Sequence, residues 1–307
     1  MLNHNYKYDA ILADSLKVTW KVEDLIGGDK KLDFSRPFLP DSLAGVNGIK
    51  CLDANGKLKL NQIRGNSYLY LFGFVEEFIL PFVLDHARQH VVHGHGDQMA
   101  IRALATFAEE EAKHMHLFQR FAEEFAAGFP VKCGVVGPAK DVAQVVLGHS
   151  PLGVGLVTLM LEWMTQRHYV DSVKTDEALD PHFASLLRHH WMEEAQHAKL
   201  DTLLVDELAQ KAGAAGIGKG FDDVLAIGGA FDGLLAAQQK LDLEALGKVL
   251  NRTFTEAEAA EITAAQVKAY RWTFLGSGLS HPNFLKTCGE LSPEAAKKVA
   301  EVALVFS

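Results

Sequence analysis

The sequence predicts an all-α protein built around a bundle of four long helices. Three observations point to that class. Apolar residues recur with helical period over four segments, at about 66–92, 97–127, 151–173 and 181–211. Helix-stop signals separate each segment from the next. The period-two alternation of a half-buried strand is scarce along the whole chain. Helices of about 20 to 30 residues exceed the usual globular length but suit a bundle.

Residues 1–63 read as an irregular N-terminal arm, because Gly27-Gly28, Pro37, Pro40, Gly45, Gly48 and the turn-like Asn55-Gly56 interrupt its short apolar pieces. Residues 64–211 are assigned to the bundle. Gly94-His95-Gly96 ends its first helix, and Gly128-Phe129-Pro130 with Gly134 and Gly137 ends the second. The stretch from Thr175 to Pro181 ends the third, and Asp180-Pro181 opens the fourth with a capping side chain and a proline at the first helical position. Residues 212–307 read as C-terminal helices packing on the bundle, near 221–250, 255–275 and 292–305. Thr255-Glu256-Ala257-Glu258 and Ser292-Pro293-Glu294-Ala295 are the start signals of the last two. Between the bundle and these helices, Gly213, Gly216, Gly218 and Gly220 predict a flexible linker. Gly213 to Lys219 has the spacing of a phosphate-binding loop, but it follows a helix and Gly220 stands where that loop needs Ser or Thr.

Composition narrows the function. With 48% hydrophobic residues in 307, a large core is available. The 30 basic residues against 39 acidic ones leave a net charge of −9, which disfavours nucleic acid and anionic membrane as partners. Three scattered cysteines, Cys51, Cys133 and Cys288, build neither a disulfide framework nor a CxxC zinc site. The first residues lack a basic stretch followed by an apolar run, and no 18-residue apolar segment is expected, so the reading is a soluble, cytoplasmic protein with no membrane contact. Fourteen histidines beside 39 acids direct attention to histidine–carboxylate spacing.

Two Glu-x-x-His pairs stand out: Glu111 with His114 in the second long helix, and Glu194 with His197 in the fourth. A spacing of three residues puts both side chains of a pair on one helical face. The first helix offers Glu76 or Glu77, and the third offers Glu162, so the order is Glu, ExxH, Glu, ExxH. Leu69, Phe72, Ile79, Leu80 and Val83 surround Glu76 at helical spacing, and Leu104, Phe107, Phe118 and Phe121 share a face with Glu111. An isolated carboxylate in such a setting costs on the order of tens of kcal/mol in the Born limit, so four of them converge sensibly only around cations. Asp85 lies opposite Glu76 and Arg88 falls in line with Glu77, which favours Glu76 as the inward residue and leaves Glu77 beside the site. Pro81 can shift that phase by a kink.

Other histidines and acids are read more plainly. His86, His90, His93 and His95 fall at a helix C-terminus, where histidine is electrostatically favoured without a metal. Glu109 and Lys113 read as a solvated pair. Asp201, four residues after His197, is placed to hold that imidazole through its second nitrogen. Thr158, Thr165 and Tyr169 flank Glu162 and are candidates to face a substrate or water.

The ordered ligand set resembles the ferritin-like di-iron carboxylate superfamily. His190, four residues before Glu194 in His190-Trp191-Met192-Glu193-Glu194-Ala195-Gln196-His197, narrows the likeness to the arylamine N-oxygenase family typified by p-aminobenzoate N-oxygenase. The resemblance covers roughly residues 66–205. It implies that Glu76, Glu111, His114, Glu162, His190, Glu194 and His197 bind two iron ions, with manganese or a mixed pair also acceptable to these ligands. It further implies O2 activation and oxidation of a small organic substrate, an amine among the candidates, with an electron-donor protein or reductant as partner and a homodimer as one assembly. A ribonucleotide-reductase small subunit would need a tyrosine where Phe118 stands. An iron-storage ferritin or a metal-free helical scaffold are the other readings.

Overall fold

The structure, a computed structural model, describes residues 2–92 and 97–306. All elements among them are helical, apart from one isolated antiparallel bridge between Gly27 and Lys30. The arm carries three short helices, α1 (Tyr8–Ser15), α2 (Val22–Leu25) and α3 (Asp41–Ala44). The long helices follow: α4 (Ala54–Val92), α5 (Gln98–Gly128), α7 (Pro151–Arg167) and α8 (Pro181–Val249), with the shorter α6 (Ala139–Leu147) between α5 and α7. A turn of π-helix, His168–Val173, continues α7. The C-terminal part holds α9 (Glu256–Arg271), a second π turn (Trp272–Gly276), α10 (Ser277–Leu279), α11 (Pro282–Leu291) and α12 (Pro293–Val305).

The four long helices pair as α4 with α5 and α7 with α8, and the two pairs meet through contacts of α8 with both α4 and α5. Their start signals work as the sequence implies. The Asp180 carboxylate accepts from the Phe183 amide at 2.6 Å and from the Asp33 amide at 2.8 Å, so one side chain caps α8 and anchors the arm. Asp97 caps α5, Ser150 caps α7, and Thr255 with Glu258 forms a reciprocal capping box on α9.

Several boundaries differ from the expectation. The first long helix begins at Ala54, ten residues earlier than the predicted bundle edge, and Asn55-Gly56 lies within it. The Asp53 carboxylate accepts from the Gly56 amide at 2.8 Å, turning a turn signal into a helix start. The glycine-rich segment is not a loose linker. The expected break falls at Gly213, which departs from helical geometry (φ 64°, ψ −175°) and kinks α8 into two helical parts, while Gly216, Gly218 and Gly220 beyond it are helical. Helices α6 and α11 were not anticipated. Ala54–Val91 does contain an 18-residue stretch apolar enough to cross a membrane, contrary to expectation, but 67% of that stretch is buried inside the protein, where it lines the core. The predicted positions His93 and His95 lie outside the described residues.

Candidate metal centre

Helix α4 brings Glu76, α5 brings Glu111 and His114, and α8 brings His190, Glu194 and His197 into one dry pocket. All six side chains are at most 3% exposed. Glu194 sits at the centre. Its Oε1 is 2.7 Å from His190 Nε2 and 3.1 Å from His114 Nδ1, while its Oε2 is 3.4 Å from His197 Nδ1. Glu111 Oε1 lies 2.8 Å from His197 Nδ1, and Glu76 Oε1 lies 3.5 Å from His190 Nε2. Two overlapping groups of mutually close ligand atoms result: Glu76, His114, His190 and Glu194, then Glu111, His114, Glu194 and His197. His114 and Glu194 belong to both; the Glu194 carboxylate has two oxygens to offer, whereas His114, with Nε2 on Glu193, offers Nδ1 alone.

Burial separates the two glutamates of α4. Glu76 is buried, whereas Glu77 is half-buried and lines a cavity between α4 and α5. Glu162 of α7 is buried, and its Oε2 has no hydrogen-bond partner among the described residues, but its carboxylate lies outside both groups.

The outer nitrogens of the two ExxH histidines are held crosswise. His114 Nε2 donates to Glu193 at 2.9 Å, and His197 Nε2 donates to Glu110 at 2.9 Å. Each bond therefore runs from one helix to a carboxylate on the other. With its proton fixed there, each imidazole turns Nδ1 toward the interior. Asp201 does not take the role expected of it, because Glu110 already occupies His197 Nε2 and both Asp201 oxygens lack partners among the described residues. Lys113 likewise turns from Glu109 to Glu193, at 2.5 Å, and lies over the Trp20 ring at 4.3 Å. Trp20 also stacks parallel to His114 with ring centres 6.3 Å apart, so the N-terminal arm covers this side of the pocket. Sequence reasoning passed over Glu110 and Glu193. The available signal was that each ligand glutamate is the last of a Glu run in the chain, Glu110-Glu111 and Glu193-Glu194.

The threonines expected near Glu162 are occupied locally. Thr158 and Thr165 donate to the carbonyls of Val154 and Leu161, one turn back in α7. Tyr169 stacks on Trp191 with ring centres 4.4 Å apart. His189, half-buried, donates from Nδ1 to the Ser185 carbonyl at 2.7 Å and meets Trp20 edge-on. Phe118, Phe72 and Phe107 close the pocket against His190 and His197.

The donor set fits a pair of divalent ions. The inward atoms Glu76 Oε2, Glu111 Oε1 and Oε2, Glu194 Oε1, His114 Nδ1, His190 Nε2 and His197 Nδ1 have no hydrogen-bond partner among the described residues. Leaving such groups unpaired in a dry interior is costly, and cations are the partners that satisfy carboxylate oxygen and imidazole nitrogen together. The electrostatics carry the same tension. Burial pushes the Glu111 carboxyl up, with His197 only partly offsetting it. Burial pushes Glu194 up as well, but the imidazoles of His197 and His114 outweigh that and hold it at about 2. Burial and the neighbouring imidazoles depress His190 well below the ordinary histidine range. The fold and site thus define an all-helical bundle with a buried cluster of carboxylates and imidazoles that could hold two metal ions.

No family model matches the chain, and no curated protein matches it. Among solved structures, a tyrosine-to-phenylalanine variant of an R2-like ligand-binding oxidase, with an anaerobically reconstituted Mn/Fe cofactor, aligns at 13% identity and a TM-score of 0.49. The alignment covers 89% of this chain and 93% of that one. A second tyrosine-to-phenylalanine variant, aerobically reconstituted with Mn/Fe, aligns at 13% identity and a TM-score of 0.48, over 89% and 94%.

Proposed function

We propose that the protein is a non-haem di-iron oxygenase, a cytoplasmic enzyme that uses O2 to oxidise a small organic substrate. The carrying observation is the set of buried, unpaired donors converging on Glu194 from three helices. When bound, the metal pair would supply O2 activation and electron transfer. Glu76, Glu111, His114, Glu194 and His197 would hold it, with Glu162 as a further carboxylate from α7. His190 would add the third imidazole on which the likeness to the arylamine N-oxygenase family rests. Glu110 and Glu193 keep the two ExxH imidazoles in the ligating tautomer, and the phenylalanine wall excludes water that would intercept reactive species.

A cavity of ≈ 450 Å³ between α4 and α5 supports an amine as substrate. Its lining includes Leu69, Phe74 and Met115, with Phe118, which contacts His190, at its inner side. Glu77 also lines it and offers a carboxylate to a cationic or hydrogen-bonding nitrogen, whereas Glu123 is engaged by Arg120 and Gln119. An electron donor, as a protein or a small reductant, is required by the chemistry.

The test is O2 uptake by the chain reconstituted with ferrous iron, followed by stopped-flow absorption and by product analysis with arylamines. Rapid uptake with a transient absorption band, lost in His197→Ala, is the expected result. Iron-loaded protein that consumes no O2 would sink the proposal. Uptake yielding only ferric iron, with no oxidised amine, would favour a ferroxidase.

A further inference from the structure

We propose that His86, His90 and Glu207 form a second, separate binding site for one divalent transition ion of the zinc class. His86 and His90 are four residues apart on α4 and so share a face. Glu207 approaches that face from α8. Its Oε2 lies 3.6 Å from His86 Nε2 and 3.7 Å from His90 Nε2, and one ligand atom from each residue falls within 4.8 Å of the others. Two bonds of about 2.1 Å at a tetrahedral ion separate their ligand atoms by about 3.4 Å, so little movement would close the site. Tyr8 fixes the carboxylate, donating its phenol to Glu207 Oε1 at 2.8 Å and leaving Oε2 to the imidazoles.

His86 supplies the observation that asks for a ligand. It is only 3% exposed, and its Nε2 has no hydrogen-bond partner among the described residues. A single proton between Oε2 and an imidazole would serve one histidine, whereas an ion serves both. Two imidazoles and one carboxylate select zinc, cobalt, nickel or copper(II) over magnesium or calcium. A cavity of ≈ 580 Å³ bordering His86, also lined by Asp85, Gln89 and His149, gives an ion a way in.

The site is independent of the bundle centre. His86 follows Glu76 by ten residues on α4, about 15 Å of helix, and Glu207 follows Glu194 by thirteen on α8, about 20 Å. An ion here would clamp the last turns of α4 to α8 and, through Tyr8, draw α1 onto both.

The full-length chain, stripped of metal, is titrated with Co2+ alone while bound equivalents and visible absorption are read. His86→Ala and His90→Gln are each expected to bind one equivalent fewer than the wild type, with at least about a hundredfold weaker residual affinity. Tyr8→Phe should retain that equivalent. His197→Ala should also retain it, and because the reading is a difference of one equivalent, failure of the bundle centre to bind metal leaves the result unaffected. Should His86→Ala not fold by circular dichroism, His90→Gln, at a partly exposed position, decides the question. Equal Co2+ counts in the wild type and the folded histidine variants would overturn the proposal.

Discussion

Glu193 shows how much a single side chain does here. It accepts from His114 Nε2 and from Lys113 Nζ, and it is fully buried. Burial pushes its carboxyl up, but its bond to His114 and the Lys113 ammonium outweigh that, so it stays ionised. Glu193→Gln keeps the shape and removes the charge. It should weaken metal binding about 10- to 100-fold without unfolding the chain, as read by competitive metal titration. His168 gives a pH prediction. Ser277 Oγ donates to the Thr273 carbonyl and so accepts from His168 Nε2, which leaves His168 Nδ1 to accept the Tyr68 phenol. Burial pushes this imidazole down to about 3. Unfolded, it takes a proton near pH 6.5, so unfolding takes up a proton between those values and stability falls as pH drops from 6.5 toward 3. His168→Asn should show a smaller loss of Tm between pH 7 and pH 5 than the wild type.

Individual helices explain why some boundaries were legible and others were not. Pro181 after Asp180, and Glu258 three residues after Thr255, are local chemistry, and the helices start where those signals stand. Gly216, Gly218 and Gly220 look like a linker because isolated glycine weakens a helix by about 1 kcal/mol. At Gly220 packing overrides that penalty. Gly220 lies against Leu152 of α7, close enough that a Cβ would meet its side chain at 2.9 Å, so the small residue permits the close approach. Gly213 is different, because its dihedrals belong to a region open almost only to glycine. Gly213→Ala should cost about 1–3 kcal/mol in urea unfolding, although nothing lies within 4 Å of the added Cβ.

The molecule as a whole gathers the largest group of its uncompensated buried polar atoms, among the described residues, in the bundle. Several carboxylates and imidazoles face each other in the bundle with few hydrogen bonds, while the core around them is continuous and apolar. Metal loading should therefore stabilise the entire fold. Ferrous or manganous ion at a thousandfold excess over Kd adds about 4 kcal/mol per independent site. Scanning calorimetry should show a rise in Tm on loading, reversed by a chelator and much reduced in His197→Ala.

The sequence by itself determined the helical class, the starts of α8, α9 and α12 and the inward faces, because period, caps and ExxH spacing are properties of neighbouring residues. It favoured Glu76 over Glu77 for the same reason. Only the tertiary structure decided which carboxylate holds which imidazole. Glu110 reaches His197 and Glu193 reaches His114 across a helix interface. Such pairings depend on the register and distance of two helices far apart in the chain, and no local pattern encodes them. The same holds for Glu207 beneath His86 and His90, more than a hundred residues away in sequence yet within 4 Å in space.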